Sequence, residues 1–241
     1  MKYKSKLTIF LIITFTITFC ISLYLVIKDF IQYQENNKIT EELIDDAIEI
    51  DSKTEEPLID WNYLKSVNDD IVGWIEIENT KINYPILKDN ENLYYLKHTY
   101  NRKFNNNGSI FVTDSNFFNT EETVIYGHNM RNGTMFSILG NYLDNEFLYS
   151  HQNIKIYTPT QNYNCKIFSC YSIGIETEND NIKDLNYQER INYYKNSSKN
   201  SISNVEITDK IIKLSTCSYI NAKTRPTNQR YYIIATLESI K

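Results

Sequence analysis

Cys217 and His128 are the two residues of this sequence that best suit covalent chemistry. The chain holds four cysteines and three histidines, His98, His128 and His151. Cys217 ends an apolar stretch, Ile211-Ile212-Lys213-Leu214, through Ser215-Thr216. A cysteine at a strand end, facing a turn, is held rigidly and can still be reached. His128 sits in Val124-Ile125-Tyr126-Gly127-His128-Asn129-Met130, where an apolar strand delivers it to a glycine-containing end. Taken singly, a lone histidine is often structural and a lone cysteine often inert. Together they are a candidate nucleophile and proton carrier, brought close by folding rather than by sequence. Acyl chemistry also needs a donor for the oxyanion of a tetrahedral intermediate. Arginine suits this, since it stays charged and carries several donors. Of five arginines only Arg225 and Arg230 follow Cys217. Arg230 opens the last strand and could lie beside the one bearing Cys217; Arg225 precedes Pro226 in a polar loop that is freer to move. The three histidines show no metal-ligand spacing, so no metal or cofactor is expected.

The elements that must position these groups are short β-type runs separated by Asn/Asp/Gly turns. Eight are expected, at 73–77, 82–86, 108–112, 122–126, 153–157, 165–171, 210–215 and 230–237. Eight strands suggest a closed or nearly closed barrel. Cys165 and Cys170 lie in one strand at an odd separation, so they are expected on opposite faces, without a mutual disulfide and as small apolar filler. One helix is expected around 184–195, with Leu185, Ile191 and Tyr194 on its inner face, and a shorter one through Met135–Leu139.

Ahead of the strands stands a different texture. Residues 7–27 carry no charge over 21 positions, enough to cross a hydrocarbon core of about 30 Å. Lys2, Lys4 and Lys6 precede the run and by the positive-inside rule stay in the cytoplasm. No small-x-small cleavage site follows, so the run reads as an uncleaved anchor rather than a signal peptide. Residues 28–60 are polar and read as an extracellular stalk, partly helical around 41–50. The expected organisation is therefore 1–6 cytoplasmic, 7–27 transmembrane, 28–60 stalk and 61–241 catalytic domain. Hydrophobic residues make up 41% and aromatics 14% of the 241, which excludes a disordered chain. The formal charge of −5 leaves no basic surplus for binding nucleic acid.

Four stretches resemble class B sortases, membrane-anchored cysteine transpeptidases of Gram-positive bacteria. They are Asp70-Ile71-Val72-Gly73-Trp74-Ile75 with Thr80-Lys81-Ile82-Asn83-Tyr84-Pro85-Ile86; Gly108-Ser109-Ile110-Phe111; Ile125-Tyr126-Gly127-His128-Asn129-Met130 with Met135-Phe136; and Leu214-Ser215-Thr216-Cys217-Ser218-Tyr219 with Arg230-Tyr231-Tyr232-Ile233-Ile234. The resemblance implies a mainly β fold, an eight-stranded barrel with N-terminal helices and a helix before the seventh strand. It implies His128, Cys217 and Arg230 as the catalytic set, favouring Arg230 over Arg225 because the family arginine directly precedes the apolar last strand. The loop 218–229 looks longer than the family's and carries the extra Arg225. The resemblance also points to groove residues: Asn92 and Leu96, and Tyr126 and Ser215, each two before a catalytic residue and on its strand face.

The activity this implies is cleavage of a C-terminal sorting signal after Thr in surface proteins, followed by transfer of the acyl group to the amine of a lipid-linked peptidoglycan precursor. A single-pass membrane protein with its catalytic domain outside fits such partners. The same three residues would serve a plain cysteine protease that releases product to water. A silent module that binds cell-wall peptides needs none of them, and a pilin-polymerising sortase would use a lysine of another pilin as acceptor.

Overall fold

The computed structural model describes residues 2–54, 56–90, 93–200, 202, 205–220 and 227–240. The chain divides into two units, Met1–Ile44 and Asp45–Lys241. Helix α1 runs over Lys2–Ala47. Its first part is apolar on all sides, with Leu7, Phe10, Phe15 and Phe19 exposed, and it is long and apolar enough to be a candidate membrane anchor.

The second unit begins with a small hairpin, β1 (Ile48–Ile50) against β2 (Pro57–Ile59). The Asp60 main-chain N–H donates to the Ala47 carbonyl at 2.8 Å, and the Asp60 carboxylate caps helix α2 (Trp61–Val67) by accepting from the Tyr63 N–H. Eight strands then form the barrel: β3 (Ile71–Glu76), β4 (Asn83–Lys88), β5 (Ile110–Val112), β6 (Glu122–Tyr126), β7 (Asn153–Tyr157), β8 (Asn162–Gly174), β9 (Ile211–Cys217) and β10 (Gln229–Thr236). Around the barrel the order is β3, β4, β5, β6, β9, β10, β8, β7, and β7 closes on β3. A two-residue strand, β11 (Glu238–Ser239), adds to β8. The pairs β4–β5 and β6–β9 are parallel and the rest antiparallel. Closure leaves the eight barrel strands paired on both sides, the physical reason such short strands are stable together.

Strand alternation sets the two faces. Ile125, Leu214 and Ile233 lie side by side in register and fill the interior. Ile211, Tyr232 and Ile234 alternate with them and face outward, where helix α5 (Tyr187–Ser197) covers them with Ile191 and Tyr194. This is the helix expected before the seventh barrel strand. It starts three residues later than its apolar spacing suggests, because Asn186 and Glu189 form a capping box there; Leu185 falls outside it. A second helix, α4 (Ile175–Ile182), was not anticipated. Its sequence is polar and carries no apolar stripe, and its one buried anchor is Glu178. The segment expected as a short helix at Met135–Leu139 is a 3₁₀ run over Ser137–Leu143, and helix α3 (Asn145–Ser150) follows it.

The cysteine pair corrects the alternation argument. Cys165 and Cys170 are both wholly buried in the same core cluster, and both are free. The register slips between Ile234–Ser169 and Ala235–Ile167, so Phe168 is an extra residue in β8 and the parity changes across it. The odd spacing that should separate the two faces therefore returns both residues to the interior.

Candidate active site

Register brings the chemistry-bearing residues to one end of the barrel. In the parallel pair β6–β9, Tyr126 stands opposite Ser215, so His128 and Cys217, each two residues further on, leave their strands at the same level. On the other side of β9, Arg230 stands directly opposite Cys217 in the antiparallel pair with β10. Directly opposed residues share a face, so thiol and guanidinium start from the same outer surface. Cys217 is half-buried.

His128 is held by the loop between β4 and β5. Its Nε2 lies 2.7 Å from the Leu96 carbonyl oxygen. A carbonyl only accepts, so Nε2 carries the hydrogen and, in the neutral ring, Nδ1 carries the lone pair. Among the described residues Nδ1 has no hydrogen-bond partner, which leaves that nitrogen for proton exchange. Burial holds the pKa of His128 below its ordinary value; donation to Leu96 opposes this, and the positive charges of Arg230 and Lys97 add to the lowering. Burial thus favours the neutral form of the ring.

The Leu96 carbonyl is itself fixed. The loop folds back on itself through the His98–Phe104 bridge, and the Ser109 N–H donates to the Tyr95 carbonyl at 2.9 Å. Gly108 has φ +58°, and a Cβ there would lie 2.5 Å from the Leu96 oxygen and 2.6 Å from that of Tyr95. Only glycine allows this approach. Gly127 has a parallel role beside the histidine, since a Cβ would meet Ile110 at 2.5 Å and Phe136 at 2.7 Å.

Arg230 donates from Nη1 to the carbonyls of Thr227 and Gln229, each at 2.9 Å. The guanidinium carries further N–H donors that these two bonds do not use. The peptide unit after Cys217 is held from both sides: the Ser218 N–H donates to the Gln229 carbonyl at 2.9 Å, and the Asn129 side-chain amide donates to the Cys217 carbonyl at 2.7 Å. Two positions along β9 from Ser215, Lys213 is buried in an ion pair with Glu178 and lies over the rings of Tyr232 (4.3 Å) and Tyr194 (4.8 Å). Tyr171 and Tyr193 also donate to Glu178. This cage pins α4 to the barrel wall on the face that carries the thiol.

Of the expected groove residues, Leu96 is half-buried and meets His128 through its main chain. Tyr126 stacks on Phe111 with ring centroids 5.5 Å apart, and Ser215 is buried beside it in register. Asn92 and Arg225 lie outside the described residues. Sequence reasoning passed over Asn129 and Gly108 as site-building residues, although both stand inside the motifs quoted for the resemblance. Among the described residues, no three His, Cys, Asp or Glu side chains gather as a metal-binding set.

Residues 75–238 match the family model described as Sortase domain. Sortase B of Listeria monocytogenes is 39% identical over 165 residues, covering 64% of this chain and 65% of that protein. Sortase B of Staphylococcus aureus is 34% identical over 169 residues, covering 67% of this chain and 68% of that one. The chain thus spans slightly less than two thirds of the Listeria relative's length. The solved Staphylococcus aureus sortase B-substrate complex superposes with a TM-score of 0.66 at 30% identity, over 75% of this chain and 85% of that one.

Proposed function

The chain belongs to the sortase family, in its class B branch, and we propose that it is a membrane-anchored cysteine transpeptidase that cleaves a C-terminal sorting signal after Thr and joins the new carboxyl end to an amine of a lipid-linked peptidoglycan precursor. The observation that carries this reading is the register that levels Cys217 with the end of the His128 strand and sets Arg230 opposite it. Support for a peptide substrate comes from the relative solved as a substrate complex.

The catalytic roles follow from the donors and acceptors. His128 Nδ1 takes the Cys217 thiol proton, and the sulfur attacks the Thr carbonyl carbon. The oxyanion that forms is met by the free donors of Arg230. His128 then returns the proton to the departing amine, leaving a thioester on Cys217. An acceptor amine attacks the thioester, gives its proton to Nδ1, and the thiol is regenerated as the new amide leaves. Through both halves Nε2–H stays on the Leu96 carbonyl, so the ring does not have to turn. Leu96, Tyr126 and Ser215 are proposed to border the bound peptide, as is Asn92.

For localisation, we read 7–27 as a single span, with Lys2, Lys4 and Lys6 inside, a stalk over 28–60 and the catalytic domain from 61 outside. That places the thiol on the side where sorting signals and lipid-linked acceptors meet.

The test is mass spectrometry of the full chain in detergent with a panel of sorting-type peptides, with and without a glycine peptide or diaminopimelate. Cleavage after Thr, an adduct on Cys217 and an amine-dependent ligated product support the proposal. Cleavage into water with every amine overturns it in favour of a protease, and absence of any adduct favours a silent binding module.

A further inference from the structure

The ladder between β6 and β9 does not end where the strands do. The Gly127 N–H donates to the Ser215 carbonyl at 3.2 Å. In a parallel register the next bond would run from the N–H of residue 129 to the carbonyl of residue 217. The main chain has turned away by then: the His128 carbonyl accepts from the Phe136 N–H at 2.9 Å, and Asn129 pairs with Met135 in an isolated antiparallel bridge. The side-chain amide of Asn129 supplies the missing donor, 2.7 Å from the Cys217 oxygen.

We propose that Asn129 is a positioning residue for acylation, its amide standing in for the next ladder bond so that the loop carrying His128 and the strand end carrying the thiol are held as one piece. The Cys217–Ser218 peptide unit then has both polar ends fixed, the carbonyl by Asn129 and the N–H by the Gln229 carbonyl. Gln229 immediately precedes Arg230, whose Nη1 also donates to that same carbonyl. One peptide plane is thus tied on one side to the residue after the histidine and on the other to the residue before the arginine. With the preceding residues of β9 already held in register against β10, fixing that plane as well fixes the direction of the Cys217 Cα–Cβ bond. Angular control of this kind matters because acyl transfer needs the sulfur aligned on the carbonyl carbon, and small misplacements are costly.

This inference rests on the transpeptidase reading, and its experiment separates the two. Asn129→Ala removes the donor; Asn129→Asp keeps the shape but sets an acceptor against the carbonyl. In single-turnover acylation by an intact sorting peptide that the wild-type protein cleaves, both variants are expected to lose about ten- to a hundredfold in the acylation rate with peptide KM unchanged, and Asp to lose at least as much as Ala. Alkylation of Cys217 by iodoacetamide, which needs no aligned peptide, stays at the wild-type rate. A second readout needs no turnover. Cys217–Ser218 is the chain's one Cys-Ser bond, so ¹³C-carbonyl cysteine with ¹⁵N-serine labelling isolates its carbonyl resonance, and both substitutions should move it upfield. If no peptide acylates the wild-type protein, the transpeptidase reading fails while the carbonyl shift still tests the hold on Cys217. Wild-type acylation in both variants, an unmoved carbonyl resonance, or a joint loss of acylation, alkylation and melting temperature overturns the positioning role.

Discussion

Replacing Gly108 with alanine should damage the histidine without touching it. The added Cβ would stand 2.5 Å from the Leu96 carbonyl oxygen, and φ at this position is +58°. The left-handed backbone alone costs an alanine about 1–2 kcal/mol. Relieving the overlap to even 3.0 Å displaces the Leu96 oxygen, or the chain opposite it, by about 0.5 Å. The hydrogen bond to His128 Nε2 is 2.7 Å long, and N–H···O bonds span about 2.7–3.2 Å. The displacement therefore spends the whole tolerance of the bond that selects the tautomer. A net hydrogen bond contributes about 0.5–1.5 kcal/mol, which converts to a two- to twelvefold fall in kcat/KM at about 1.4 kcal/mol per tenfold. Peptide cleavage kinetics would read this fall, thermal denaturation the accompanying loss of stability, and ¹⁵N shifts of the imidazole ring a mixture of tautomers in place of Nε2–H alone. Finding Gly108→Ala with wild-type ring shifts and wild-type kcat/KM would refute the claim that the close approach of Gly108 and Leu96 governs His128.

Three further outcomes are expected. The acid limb of the kcat/KM profile should fall below the ordinary histidine value of about 6.5, because the proposed base is the neutral ring and burial disfavours its protonation; activity is lost as pH drops through that lowered value. Arg230→Met should cut turnover and also shift the acid limb upward, since the Arg230 charge is one of the groups holding the His128 pKa down; a pH–rate series on the variant checks the direction. Lys213→Met should destabilise the fold by about 3–5 kcal/mol by removing the cationic partner of Glu178 from a buried cage, with denaturant melts showing partial recovery in the double variant with Glu178→Gln.

The hydrophobic texture of the chain was enough to anticipate much of this molecule. Strand candidates read as short β-type runs between Asn/Asp/Gly turns became the eight barrel strands, because β-branched and aromatic runs bounded by turn residues carry that signal locally. The uncharged run at 7–27 announced a long apolar helix, since its length and composition need no partner to be read. The pairing of Cys217 with Arg230 was legible as a strand end and a strand start. Other features depended on contacts that no local window contains. The parity of Cys165 and Cys170 was decided by an extra residue in β8, visible only against its partner strand. The polar helix α4 is tied to the barrel by a glutamate that meets a buried lysine 35 residues away. The tautomer of His128 is set by a main-chain oxygen 32 positions earlier, and the Cys217 carbonyl is held by an amide 88 positions before it. Composition and spacing mark which runs become strands; the face a residue turns to beyond a bulge, and the hydrogen-bond partners across the barrel, are fixed only when closure brings distant segments together.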